Sequence, residues 1–386
     1  MKAYMFPGQG AQRIGMGAGL FEAYPKLVAK ADAVLGYSVR DLCLQGPIER
    51  LTQTEFTQPA LFVVNALAYL RKVQEAGTPD YLLGHSVSEY VALFGAGVID
   101  FETGLRLVRK RGELMARAQG GGMAAVLGLD EAQVQAVLQE HGLADVYAAN
   151  FNTPKQIVLS GLRAAVEKAE PLMLAPGASF FKMLQVSGAF HTPFMADARA
   201  EFEQFVENLP FAAPVIPVIS NVTARPHTPA RVRERMVEQI TAPVRWTDSI
   251  RYLLAKGLDV RDFEEIGPEG VAMVKPMVMR TKLEAGPLDA ALLAQEESAR
   301  QTAESRPASE QAPRQDTTSV FTAVSLGAPE FCEKFGVKYA SLAGGMYQGV
   351  ASVDMVVRLA RAGMMGFFGV GGLRMADVEN AIVRIQ

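Results

Sequence analysis

The chain has 386 residues, 49% of them hydrophobic and 20% charged, which argues against disorder for most of the chain and leaves length for about two to three folded domains. A formal net charge of −3 lays down no basic footprint for nucleic acid. Two cysteines, Cys43 and Cys332, make no disulfide framework, the opening MKAYMFPGQGAQ has no apolar signal region, and no apolar run approaches ~18 residues, so a cytoplasmic protein with no membrane segment is expected.

From residue 1 to 283 the pattern is alternating strands and helices with short Gly/Pro punctuation, the texture of an α/β domain. Lys2 to Phe6 reads as a buried strand running into the turn Pro7-Gly8-Gln9-Gly10. Tyr81-Leu82-Leu83 is a second strand, feeding Gly84-His85-Ser86, and a small-residue helix follows over Val87 to Gly95. Thr103 to Arg117 is an amphipathic helix with Leu107, Val108, Leu114 and Met115 on its apolar side. The texture changes near Gly120. Strands at Met123–Leu127, Tyr147–Phe151, Gln156–Ser160 and Phe180–Val186 alternate with helices at Glu131–His141 and Leu162–Met173. That order, β-α-β-β-α-β, predicts a ferredoxin-like subdomain over 120–187 inserted into a larger α/β subdomain at 1–119 and 188–283. The larger part resumes with a helix after His191 and strands at Pro214–Ser220 and Asp262–Ile266.

Residues 284–318 are rich in Ala, Glu, Gln, Ser and Pro and read as a linker. Beyond it, over 319–386, strands at Val337–Ala343 and Gly363–Val370 flank a helix at Val353–Ala362, the start of another α/β unit.

The chemistry concentrates at Gly84-His85-Ser86-Val87-Ser88. A serine hydroxyl needs a base in hydrogen-bond reach and donors for the oxyanion formed on attack. A strand–Ser–helix turn projects Oγ outward and sets the next backbone N–H at a helix start. Here Ser88 stands where G-x-S-x-G has its last glycine, so the motif alone also fits a plain strand–helix turn. Gly8-Gln9-Gly10 reads either as a tight turn or as a second oxyanion donor, the N–H of Gln9 facing that of Val87. Of the four histidines, His141 ends a helix, His227 sits in a polar loop between Pro226 and Thr228, and His85 should point away from the Ser86 hydroxyl. His191, at a strand-to-helix junction before Pro193, is the best candidate base, with a core or capping histidine as the alternative. Arg111 is suited to a carboxylate, yet spacing alone favours a solvated cation within Arg109-Lys110-Arg111. Asn221-Val222-Thr223 matches a glycosylation acceptor and reads as a chance match.

Taken together, Phe6-Pro7-Gly8-Gln9-Gly10-Ala11-Gln12, Gly84-His85-Ser86, Arg109-Lys110-Arg111-Gly112, Gly188-Ala189-Phe190-His191, Pro243-Val244-Arg245-Trp246 and Glu265-Ile266-Gly267-Pro268 resemble the malonyl-CoA:acyl carrier protein transacylase family. The resemblance implies a hydrolase-like α/β fold with an inserted ferredoxin-like subdomain, and ping-pong malonyl transfer from malonyl-CoA to an acyl carrier protein without metal or cofactor. It implies Ser86 as nucleophile, His191 as base, backbone N–H groups of Gln9 and Val87 as the oxyanion hole, and Arg111 on the malonyl carboxylate. The histidine is oriented in that family by a backbone carbonyl, here expected near Arg245, so no triad role is assigned to Asp100, Asp130 or Asp145. Phe190 would crowd an α-methyl branch, as in malonyl-selecting acyltransferases.

The run Ala343-Gly344-Gly345-Met346-Tyr347-Gln348-Gly349-Val350-Ala351-Ser352, with Gly366-Phe367-Phe368-Gly369-Val370-Gly371-Gly372-Leu373, resembles the start of flavin-dependent trans-acting enoyl reductases. About 60 residues cannot close a barrel of ~250, so no flavin is expected to bind. Two rival readings stay open: a proofreading hydrolase of acyl carrier proteins using Ser86 and His191, and a non-catalytic docking subunit.

Overall fold

The computed structural model describes residues 1–294 other than 187, 271 and 292, together with two short strands, Leu342–Ala343 and Met365–Gly366. The chain divides into two units, Met1–Gln301 and Thr302–Gln386. In the second, the two short strands pair in parallel, Leu342 with Met365 and Ala343 with Gly366. The expectations for most of the linker, for the helix at 353–362 and for the reductase-like segment lie outside the described residues.

The first unit carries two sheets. Strands β1 (Ala3–Phe6), β2 (Tyr81–Gly84), β7 (Val218–Ile219) and β8 (Phe263–Glu265) form a parallel sheet in the order β7-β2-β1-β8. Every residue of β1 is fully buried, as befits a parallel strand covered on both faces. One covering layer is the helix Thr54–Ala76, whose run from Ala60 to Ala68 is buried on all sides. The helix Phe101–Arg117 packs beside it and starts at Asp100, whose carboxylate accepts from the N–H of Thr103 at 2.7 Å.

Strands β3 (Gly121–Leu127), β4 (Val146–Thr153), β5 (Gln156–Leu162) and β6 (Phe180–Met183) form a wholly antiparallel sheet in the order β4-β5-β3-β6. With the helices Glu131–Glu140 and Arg163–Leu174, this is the strand order of a ferredoxin-like unit. Side chains alternate across it. Ala124, Val126, Ile157 and Leu159 pack in the core with the helices, while Met123, Ala125, Gln156 and Val158 face a cleft. A register shift between Ala148 and Asn150 turns Asn150 and Asn152 to the cleft while Ala148 stays in the core. β4 is tied to the larger part of the unit at Val244, outside both sheets, whose N–H donates to the Ala149 carbonyl at 2.8 Å and whose carbonyl accepts from the Phe151 N–H at 2.9 Å.

Three expectations shift. The strand expected at Pro214–Ser220 contracts to Val218–Ile219, because Pro214 and Pro217 bring no N–H to a ladder, and Val215 is 79% exposed. A 3-10 turn, Ser86–Ser88, precedes the helix Glu89–Gly95. The expected linker start at 284 falls inside the helix Lys275–Glu284, and the chain beyond still packs: the Leu288 N–H donates to the Arg251 carbonyl at 3.1 Å, and Leu293 is buried. Leu288 and Leu293 pack against the cluster that includes Met5 and Ile250. Among the described residues, no helix is long and apolar enough to cross a membrane.

Gly84 ends β2 where a Cβ would lie 1.8 Å from the Ser88 carbonyl oxygen. Backbone cannot yield as a side chain can, so Gly84→Ala is expected to destabilise the first unit by about 1–3 kcal/mol or more. A lowered thermal midpoint checks this, and an unchanged one contradicts it.

Candidate active site

The elbow is built from β2 upward. Ser86 has φ 53°, the left-handed region, which costs a non-glycine residue about 1–3 kcal/mol unless its surroundings hold it there. Asn221 does the holding. Its Oδ1 accepts from the Ser86 N–H at 2.7 Å, and its Nδ2 donates to the Gly84 carbonyl at 2.8 Å. The Gly8 turn presses on the elbow from the other side, where a Cβ on Gly8 would meet the His85 carbonyl oxygen at 2.5 Å. Ser88 does more than permit close packing. Its hydroxyl donates to the Pro7 carbonyl at 2.7 Å, and Asn65 Nδ2 donates to both that carbonyl and Ser88 Oγ at 3.0 Å.

Ser86 Oγ lies 2.7 Å from His191 Nε2. On the far side of the ring, Nδ1 faces two carbonyls, Gln239 at 2.9 Å and Ala242 at 3.1 Å. Carbonyl oxygens only accept, so Nδ1 carries the hydrogen and Nε2 presents a lone pair to the serine hydroxyl. This corrects the expectation at Arg245. The Arg245 carbonyl instead accepts from the Ser249 N–H and hydroxyl, because it opens the helix Trp246–Ala255. The Arg245 side chain pairs with Asp248. Asp100 and Asp130 cap helices. Burial first, and the nearby Arg111 charge second, push the His191 pKa down to about 3.

Arg111 is not solvated, against what spacing favoured; it is 1% exposed. Nη1 donates to Gln58 Oε1 at 2.8 Å, and Nη2 donates to Gln239 Oε1 at 3.1 Å and to Ser86 Oγ at 3.3 Å. These hydrogen-bond partners are neutral; among the described residues the buried Glu89 carboxylate acts on the charge through space, across Gln239, without pairing with it directly. Its neighbour Arg109 is the solvated one, paired with Glu113.

The groups open on a cleft of about 630 Å³ between the two sheets. Gly8, Gln9, Val87 and Phe190 line it from the parallel-sheet side, and Asn150 and Asn152 from the antiparallel one. His85 points away from the Ser86 hydroxyl, with Nε2 2.8 Å from Asn152 Oδ1 and its ring against Trp246. His227 lies in a loop as expected, but the loop is buried there: His227 is 6% exposed, with Nε2 2.6 Å from Glu89 Oε1.

Gln58, Asn221, Gln239 and Glu89 are site residues that sequence reasoning missed. Gln58 lies near the N-terminus of the helix Thr54–Ala76, among polar residues that gave no sign of a buried role. Asn221 carried only a misleading glycosylation match, and Gln239 carried no signal.

Residues 3–268 match the acyl transferase domain family model. The chain is 49% identical over 388 residues to the polyketide biosynthesis protein PksE of Bacillus subtilis, an alignment covering all of this chain and 49% of that protein. It is 51% identical over 273 residues to the polyketide biosynthesis malonyl CoA-acyl carrier protein transacylase PksC of Bacillus subtilis, covering 70% of this chain and 94% of that one. The crystal structure of malonyl CoA-acyl carrier protein transacylase from Burkholderia pseudomallei superposes with a TM-score of 0.70 at 46% identity, covering 73% of this chain and 98% of that one. The chain thus spans about half the length of PksE.

The depressed His191 pKa keeps the imidazole neutral well below its ordinary 6.5. The rate at which Ser86 is acylated is expected to stay flat from about pH 8 to about pH 5.5, and an acid limb centred near 6.5 contradicts the buried neutral base. The same shift weakens the fold as pH falls from 6.5 towards 3, because the unfolded chain takes up this proton first.

Proposed function

The chain belongs to the acyl transferase domain family, and we propose that it moves a malonyl group from malonyl-CoA to the phosphopantetheine thiol of an acyl carrier protein. The observation that carries this reading is Arg111, a buried guanidinium with neutral partners, 3.3 Å from the Ser86 hydroxyl. A buried guanidinium whose direct contacts are all neutral can take a bidentate anion from its ligand, and a free carboxylate two carbons from a thioester carbonyl supplies one.

In the first half-reaction Ser86 Oγ attacks the thioester carbonyl while His191 Nε2 takes the hydroxyl proton. The backbone N–H groups of Gln9 and Val87 receive the oxyanion. As the tetrahedral intermediate collapses, the C–S bond breaks and His191 returns the proton to the departing CoA thiolate. In the second half-reaction His191 takes the proton of the carrier thiol, the sulfur attacks the malonyl-serine carbonyl, and the serine leaves reprotonated. Phe190 crowds an α-methyl branch, a discrimination of ~1–3 kcal/mol that leaves some leakage. The hydrolase alternative needs no cation for a free carboxylate, so Arg111 counts against it.

We read residues 1–119 and 188–283 as the large acyltransferase subdomain, 120–187 as the small one, and 319–386 as the start of a flavin-dependent enoyl reductase. That pairing suits a cytoplasmic, trans-acting acyltransferase of a polyketide pathway of the disorazole type.

Intact-protein mass spectrometry after mixing with malonyl-CoA should find one malonyl adduct, absent in Ser86→Ala and passed on to a holo carrier protein. Free malonate without malonyl-carrier product would point to the hydrolase instead. Arg111→Ala is expected to lower kcat/KM for malonyl-CoA by about 30-fold or more, the ~2–5 kcal/mol of a broken buried charge contact, with far less effect on acetyl-CoA. Equal loss for both substrates would assign Arg111 to the fold.

A further inference from the structure

Behind the elbow lies a second buried charge, that of Glu89, which the reaction itself does not use. Glu89 is 1% exposed and opens the helix Glu89–Gly95. Three donors converge on its two oxygens. His227 Nε2 lies 2.6 Å from Oε1, while the Asn221 N–H donates to Oε2 at 3.2 Å and Gln239 Nε2 donates to the same oxygen. Each of the latter two partners then touches the reacting groups. Asn221 holds the Ser86 N–H, and Gln239 holds Arg111 through Oε1, the Ser86 carbonyl through Nε2 at 3.1 Å, and His191 through its own carbonyl.

A primary amide can be turned end for end at little steric cost, and only its partners decide which end faces where. A carboxylate accepts and never donates. Glu89 therefore forces the NH2 end of Gln239 towards itself and the carbonyl end towards Arg111. Turned the other way, the NH2 would face the guanidinium, donor against donor, and the carbonyl would face a carboxylate. We propose that Glu89, backed by His227, is a positioning residue that fixes the Gln239 amide and through it aims the Arg111 guanidinium at the carboxylate of an acyl substrate. This rests on the malonyl reading above. His227 completes the device by occupying the other carboxylate oxygen, leaving Oε2 for Asn221 and Gln239.

The test uses the full chain with Glu89→Gln and Glu89→Leu, measuring serine acylation by malonyl-CoA and acetyl-CoA side by side. The isosteric Gln keeps one acceptor and loses the charge, while Leu removes every acceptor. A misplacement on the order of 1 Å away from the reacting atoms costs about 100-fold in rate, so the malonyl-to-acetyl ratio of kcat/KM is expected to fall about 100-fold in Glu89→Leu and about tenfold in Glu89→Gln. The fall should appear in kcat/KM for malonyl-CoA beyond whatever loss acetyl-CoA shares. Should the Leu variant fail to fold, the Gln variant decides alone. A lowered thermal midpoint with the wild-type ratio retained overturns the proposal. If the wild-type protein itself forms no malonyl adduct, the malonyl reading fails. The Gln239 side-chain NH2 resonance of nitrogen-labelled protein then settles the positioning role. It should be strongly hydrogen-bond-shifted in wild type and displaced in Glu89→Gln, and an identical resonance in both overturns the role.

Discussion

A guanidinium buried with neutral partners, Arg111, is the constraint around which the site is organised. Removing a full charge from water costs several kcal/mol unless hydrogen bonds and fields replace the lost hydration. Here the replacement comes from two amides on different elements: Gln58 from the helix Thr54–Ala76, and Gln239 from the residue that ends the helix Val232–Glu238. The ring of Tyr90 lies beneath the guanidinium, 5.8 Å from its central carbon. Keeping that charge beside the serine also sets the electrostatics of the base, since burial and the Arg111 field both disfavour a second cation at His191.

The same neighbourhood holds two non-glycine residues in left-handed backbone, Ser86 at φ 53° and His191 at φ 60°. Neither conformation persists through local preference. Ser86 is pinned by Asn221 on one side and by the Gly8 turn on the other. The His191 ring is pinned by the carbonyls of Gln239 and Ala242, while Thr192 donates its hydroxyl to the Ala189 carbonyl at 2.6 Å. The nucleophile and its base thus reach each other because segments distant in sequence over-determine their backbones. The antiparallel sheet contributes the opposite wall, and β4 carries a register shift that brings Asn150 and Asn152 round to face the cleft.

The sequence by itself determined the elements whose cause is local. The apolar run of β1, the strand runs of β3 and β5, and the amphipathic helix reaching Arg117 each follow from neighbours a few residues away. So does the β-α-β-β-α-β order that announces a ferredoxin-like unit. Ser86 and His191 were legible as strand-to-helix turns from the glycines and proline around them, and as nucleophile and base only once the six motifs were read together as a resemblance to the transacylase family. Tertiary structure decided the rest. Which carbonyl faces His191 Nδ1 depends on whether a helix start has already taken it, as it has at Arg245 and not at Gln239 or Ala242. Whether Arg111 or Arg109 is buried, and whether the His227 loop is solvated or packed against Glu89, depends on segments packed from elsewhere. For Gln58, Asn221 and Gln239, function lies in neutral amides that bond Arg111 and the Ser86 backbone across 53 to 153 positions of chain. Hydrogen bonds over such separations leave no periodicity or spacing in the sequence, so only the folded packing could reveal them.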